Sequence, residues 1–150
     1  MNYAEMPAGR EMDALVAEKV MGWRAWAERR GDYTYIVFQL PGEREPFAKY
    51  RNPEAERARY APIAFADIDE MKHVVCDIPR YSTEIAAAWE VVSALGERAP
   101  FPQYLEVANR YSDAAWIAKV FEGGVMVAEA YADTAPLAIC RAALAAVAEP

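Results

Sequence analysis

Apolar residues recur at three- and four-residue offsets in three stretches of the chain and alternate with polar ones in most of the remainder, which predicts helices at the beginning, middle and end with strands between them. From Gly9 to Met21, the residues Met12, Leu15, Val16 and Val20 form a helical stripe; Glu11 and Asp13 suit its start and Lys19 its last turn. Gly22 is placed to close that helix in the left-handed conformation. In the central stretch Pro79 bars backward extension, Ser82 supplies an N-cap oxygen, and Glu84 sits in the first turn beside the positive helix end. Ile85, Ala88, Trp89, Val92 and Leu95 then share one face, so a helix with its tryptophan anchored in a core is predicted. The last helix spans Asp133 to Val147, with Thr134 as N-cap and Pro136 removing only an amide that lacks an intrahelical partner. Apart from Arg141 it is apolar all round. Such a helix is covered deeply or by another subunit, and self-association into a homo-oligomer is expected.

Between the first two helices, Trp23 to Glu28 reads as a strand in preference to one more helical turn, and Arg30-Gly31-Asp32 signals a turn. Tyr33 to Leu40, rich in aromatic and β-branched residues, predicts a strand. Pro62 to Phe65 predicts a short edge strand, Asp67 to Lys72 a turn or short helix, and Val74 to Cys76 a brief buried stretch. After the central helix Gly96, Pro100 and Pro102 enforce a break. Three strands follow, Tyr104 to Asn109, Ala115 to Phe121 and Val125 to Tyr131, joined through Tyr111-Ser112-Asp113 and through the two-residue hairpin turn Gly123-Gly124. This antiparallel meander has a middle strand that is apolar on both faces except at Lys119, so a layer is expected on each side of it.

At 150 residues the chain is expected to form one domain with one core. Residues 41 to 72 stand out as a polar insertion longer than a compact domain normally carries. In it Tyr50 and Tyr60 lie among five basic residues, Arg44, Lys49, Arg51, Arg57 and Arg59. That composition suits a solvated excursion or a flap over an anionic ligand. The net charge of −7 opposes a phosphate-backbone binder, so nucleic acid is not an expected partner. The sequence shows no apolar run of bilayer length and no signal-peptide pattern at its start, so a reducing cytoplasm is expected, with Cys76 and Cys140 as free thiols and no membrane contact.

Three blocks carry a family resemblance: Met12 to Trp23, Tyr81 to Val92 and Ala132 to Leu144. In that order they resemble the phage ABA sandwich domain, found in small phage and prophage proteins. The resemblance implies an antiparallel sheet between helical layers, hence an α+β fold built as a three-layer α/β/α sandwich. It implies no established activity, and the 41–72 segment is longer than the family pattern leads one to expect.

The chemistry of the side chains narrows the function. His73 is the only histidine, and no nucleophile is paired with a base, so neither a catalytic set nor a metal or cofactor site is expected. Glu122-Gly123-Gly124 is turn chemistry, since no Lys-Ser/Thr pair opens a helix after it. Two helix starts, Ser82-Thr83 and Thr134, are candidate anion sites, with Arg80 beside the first and Tyr81 placed to stack on a ring; ordinary capping explains the same residues. Arg44, Lys49 and Arg51 form a second candidate set. The expectation is a phage accessory protein in the host cytoplasm that sequesters a nucleotide-derived signalling molecule, possessing an anti-defence role by analogy with phage biology. The alternative is a protein-interaction module that inhibits a host or phage protein through its apolar helical face.

Overall fold

Met12, Val16 and Val20 line the buried side of the first helix, α1, which covers Arg10–Leu15 and widens into a π turn over Val16–Val20. The computed structural model describes residues 1–75, 77–110 and 115–148. Gly22 closes this segment with φ 72°, where any side chain would be strained. The chain divides into two compact units, one of Met1–Met21 with Ile78–Pro150 and one of Gly22–Asp77.

The second unit is a sheet with a folded-back cover. Strand β1 (Arg24–Arg30) turns through Gly31-Asp32 into β2 (Tyr33–Gln39); α2 (Pro53–Arg57), β3 (Tyr60–Ile63) and β4 (His73–Val75) follow. The order is β3-β1-β2-β4, antiparallel except for the parallel pair of β2 with β4. Pairing of Ala25 with Phe38 and Ala27 with Ile36 sets one apolar face, on which Phe38 stacks against Phe65 and meets Trp23. The alternate residues Trp26, Glu28 and Tyr35 point the other way, and there Phe47 packs edge-on against Trp26 and beside Tyr60. Residues 41–72, read as a polar insertion, thus hold an edge strand and the aromatic cover of one sheet face. Pro62 is tolerated because β3 is an edge. Val74 is half exposed, contrary to the buried stretch expected there, because β4 lies at the other edge; Cys76 lies outside the described residues.

In the first unit α3 spans Ile85–Gly96, and β5 (Gln103–Arg110), β6 (Ala115–Glu122) and β7 (Val125–Ala132) form the meander before α4 (Ala135–Val147). Gly123 and Gly124 both have positive φ, as a two-residue hairpin requires. The turn expected at Tyr111-Ser112-Asp113 lies outside the described residues. The protein is therefore α+β, but its strands form two sheets in place of a single one.

Strand β6 is central, as expected, with Ala118 and Val120 buried beneath α4. Among the described residues the cover expected on both its faces is not seen: on the far face of β6 only Ile117 is buried, Tyr104 stacks on Phe121 at 4.9 Å, and Lys119 faces Glu129 at 3.8 Å, with Tyr104 half exposed. Both α3 and α4 pack against each other and against the meander, and α4 meets the first helical segment too. Alanines make that close approach feasible: Ala87, Ala88, Ala138, Ala142 and Ala143 are all buried. The apolar α4, expected to draw in a second subunit, is covered by its own chain, and Leu144 is wholly buried.

The same packing overturns the face assigned to α3. Ala87, Ala88, Val91 and Leu95 point inward, while Trp89 is 51% and Ile85 46% exposed. Small residues let α4 come close; an inward indole would hold it away.

Candidate functional site

Of the residues expected to bind an anion at the start of the central helix, Tyr81 and Ser82 are committed to structure. Helix α3 begins at Ile85 with Glu84 as its N-cap, later than Ser82 would place it. Ser82 is buried, its Oγ accepting from Gly9 N at 2.9 Å and its N–H donating to Asp13 Oδ1 at 2.7 Å. The amides of Thr83 and Glu84 both donate to Arg80 O, at 3.2 and 2.9 Å. Tyr81, expected to stack on a ligand ring, is fully buried, and burial, with Glu90 and Asp13, pushes its hydroxyl pKa upward. Arg80 and Thr83 remain exposed. Thr134 does cap α4, its Oγ1 accepting from Leu137 N at 3.4 Å.

The other candidate set is brought together in part. On β1, Trp26, Glu28 and Arg30 share a face, and β3 places Tyr60 opposite Glu28. Glu28 is 1% exposed, and Arg30 donates to both its oxygens at 2.9 Å. The Arg30 guanidinium, helped by the Tyr60 hydroxyl, holds the Glu28 carboxyl below its ordinary range against the opposing effect of burial. Tyr60 in turn is raised by burial and by its hydrogen bonds to Tyr50 and Glu28; the two phenol oxygens lie 3.1 Å apart.

Around this neutralised centre four cations stand over aromatic rings. Arg30 lies 4.7 Å from the Tyr35 centroid, Lys49 5.4 Å and Arg59 5.5 Å from that of Tyr50, and Arg57 5.7 Å from that of Phe47. Arg30 is engaged by Glu28 and Arg59 by Glu56. Lys49 and Arg57 are exposed and form no ion pair among the described residues. Arg44 and Arg51, also expected here, are exposed outside this set of ring contacts.

Sequence reasoning missed Glu28, Arg30 and Tyr35. The available signal was the strand period itself, which puts Glu28 and Arg30 on one face beside an aromatic run. Cys140, expected to be a free thiol, is free and buried, and burial raises its thiol pKa. Among the described residues no group of three His, Cys, Asp or Glu side chains is placed to hold a metal ion. No helix among them is long and apolar enough to cross a membrane.

Comparison with known proteins places this geometry in context. The family model described as the phage ABA sandwich domain matches residues 14–144. The crystal structure of a phage protein from Bacillus cereus ATCC 14579 is similar, with a TM-score of 0.50 at 23% identity over 95% of each chain; at that identity the likeness speaks for the fold alone. No curated protein matches.

Proposed function

This chain belongs to the phage ABA sandwich domain family, and from that premise we propose a phage accessory protein that works by binding: it captures a phosphorylated small molecule of nucleotide type on the basic and aromatic surface of residues 46–60. The observation that carries this reading is the pair Lys49 and Arg57, two exposed cations held over rings without a carboxylate partner among the described residues. An acidic chain that leaves such cations unpaired offers them to an anion, and charge-assisted hydrogen bonds to phosphate oxygens are among the stronger polar contacts. The rings of Phe47 and Tyr50 beside them give the base or sugar an apolar neighbour. Buried Glu28 is held ionised by Arg30, so it fixes the scaffold of the site and does not compete for the ligand. The role assigned is stoichiometric capture in the host cytoplasm, with sequestration of an immune signal as its anti-defence form by analogy.

Protein purified from cells that make the signal, denatured, and its released small molecules identified by mass spectrometry tests the reading. A phosphorylated compound in near-stoichiometric yield is expected. Release of no such compound from the wild-type protein, or equal release from the Lys49→Ala/Arg57→Ala variant, overturns it.

A further inference from the structure

The unit of Met1–Met21 and Ile78–Pro150 carries an open groove of about 470 Å³. Ile85 and Trp89 of α3, Val107 of β5 and Trp116 of β6 line it, and its remaining wall is the segment from Asp133 to Pro136. Trp89, half exposed, shares this groove with a second indole, that of Trp116, so the two form part of one apolar patch open to water, the kind of surface that marks a binding site.

Charge decides what suits the groove. Among the described residues lining it, Asp133 is the only charged one. A helix start is worth about half a positive charge. Here much of its donor capacity is used: Leu137 N donates to Thr134 Oγ1 at 3.4 Å, Ala138 N donates to Thr134 O at 3.1 Å, and Pro136 has no N–H. The full carboxylate charge therefore outweighs the helix end, so this end of the groove repels phosphate and attracts a cation. Two indoles favour the same sign, and a guanidinium above all, because it stacks on aromatic rings while donating to a carboxylate. A groove of this size takes more than one side chain, so the cation arrives with apolar neighbours.

We propose that the groove docks a partner protein through an arginine flanked by apolar residues, the guanidinium lying between the indoles and Asp133 and the flanking residues covering Ile85, Val107 and Pro136. The assignment is independent of the ligand reading at Lys49 and Arg57, which concerns the other unit.

Capped Leu-Arg-Leu, Leu-Gln-Leu and Leu-Glu-Leu peptides titrated against the full chain, with the Trp89 and Trp116 indole resonances followed by NMR, test the proposal. The arginine peptide is expected to move both resonances, to weaken by about tenfold in Asp133→Asn, the equivalent of one charge-assisted contact, and to lose binding in Trp89→Ala. Trp89 is half exposed, so that variant keeps its spectral dispersion. Equal binding of the arginine and glutamine peptides, or no shift at about 1 mM peptide, overturns the proposal. Methylguanidinium binding as tightly as the arginine peptide also overturns it, since the occupant is then a small cation and not a protein.

Discussion

Arg30 grips both carboxylate oxygens of Glu28, two residues before it on the same strand, at 2.9 Å each, and so keeps a nearly inaccessible carboxylate charged. Because the folded pKa of Glu28 lies below its ordinary value of 4.5, the stability it contributes is present above that value and is lost as pH falls through the lowered folded pKa. Removing the guanidinium takes away the largest lowering influence and leaves burial opposed only by Tyr60 and Arg59, so the carboxyl shifts upward. Arg30→Ala is therefore expected to move the midpoint of acid unfolding to higher pH, followed by far-UV circular dichroism. An unchanged midpoint means Glu28 draws its stabilisation from elsewhere.

The bond from Ser82 N to Asp13 Oδ1 ties the first helix to the entry of α3 within the core. Asp13→Ala leaves a buried N–H without its acceptor and is expected to cost about 1–3 kcal/mol in urea unfolding. Asp13→Asn retains an oxygen and should recover a good part of that loss. Equal losses in both variants point to the charge of Asp13, not the hydrogen bond.

Leu144 and Trp89 should separate sharply. Leu144→Ala is expected to destabilise by about 2–5 kcal/mol, as core truncations do. Trp89→Ala, with half its surface already in water, should cost roughly half as much or less. The reverse order would return Trp89 to the core and place α4 at the surface.

These contrasts show what the sequence made legible. The hairpin at Gly123-Gly124 and the closure at Gly22 were readable because backbone conformation at each depends on one or two residues. The central place of β6 was readable from its apolar run. The buried face of α3 was not, since Ala88 and Leu95 fit either of two overlapping stripes and only contact with α4 selects one. The start of α3 was hidden for a similar reason: the Ser82 hydroxyl accepts from Gly9, 73 residues away, instead of capping its own helix. At the basic cluster, composition named Lys49, Tyr50, Tyr60, Arg57 and Arg59, but the return of this segment over β1, which brings in Glu28 and Arg30, is long-range pairing that local pattern does not encode.

The central claim is an anionic ligand held by Lys49 and Arg57, and the most direct measurement is the melting temperature of the wild-type chain and of the Lys49→Ala/Arg57→Ala variant against linear and cyclic nucleotides and adenosine-diphosphoribose derivatives. Ligand at 100 times its dissociation constant adds about 2.7 kcal/mol of stability. The wild-type protein should gain a clear shift with at least one compound, the double variant should lose it while its unliganded melting point stays put, and Arg80→Ala should behave as wild type. A shift that survives the double substitution, or a panel that produces none, contradicts the account.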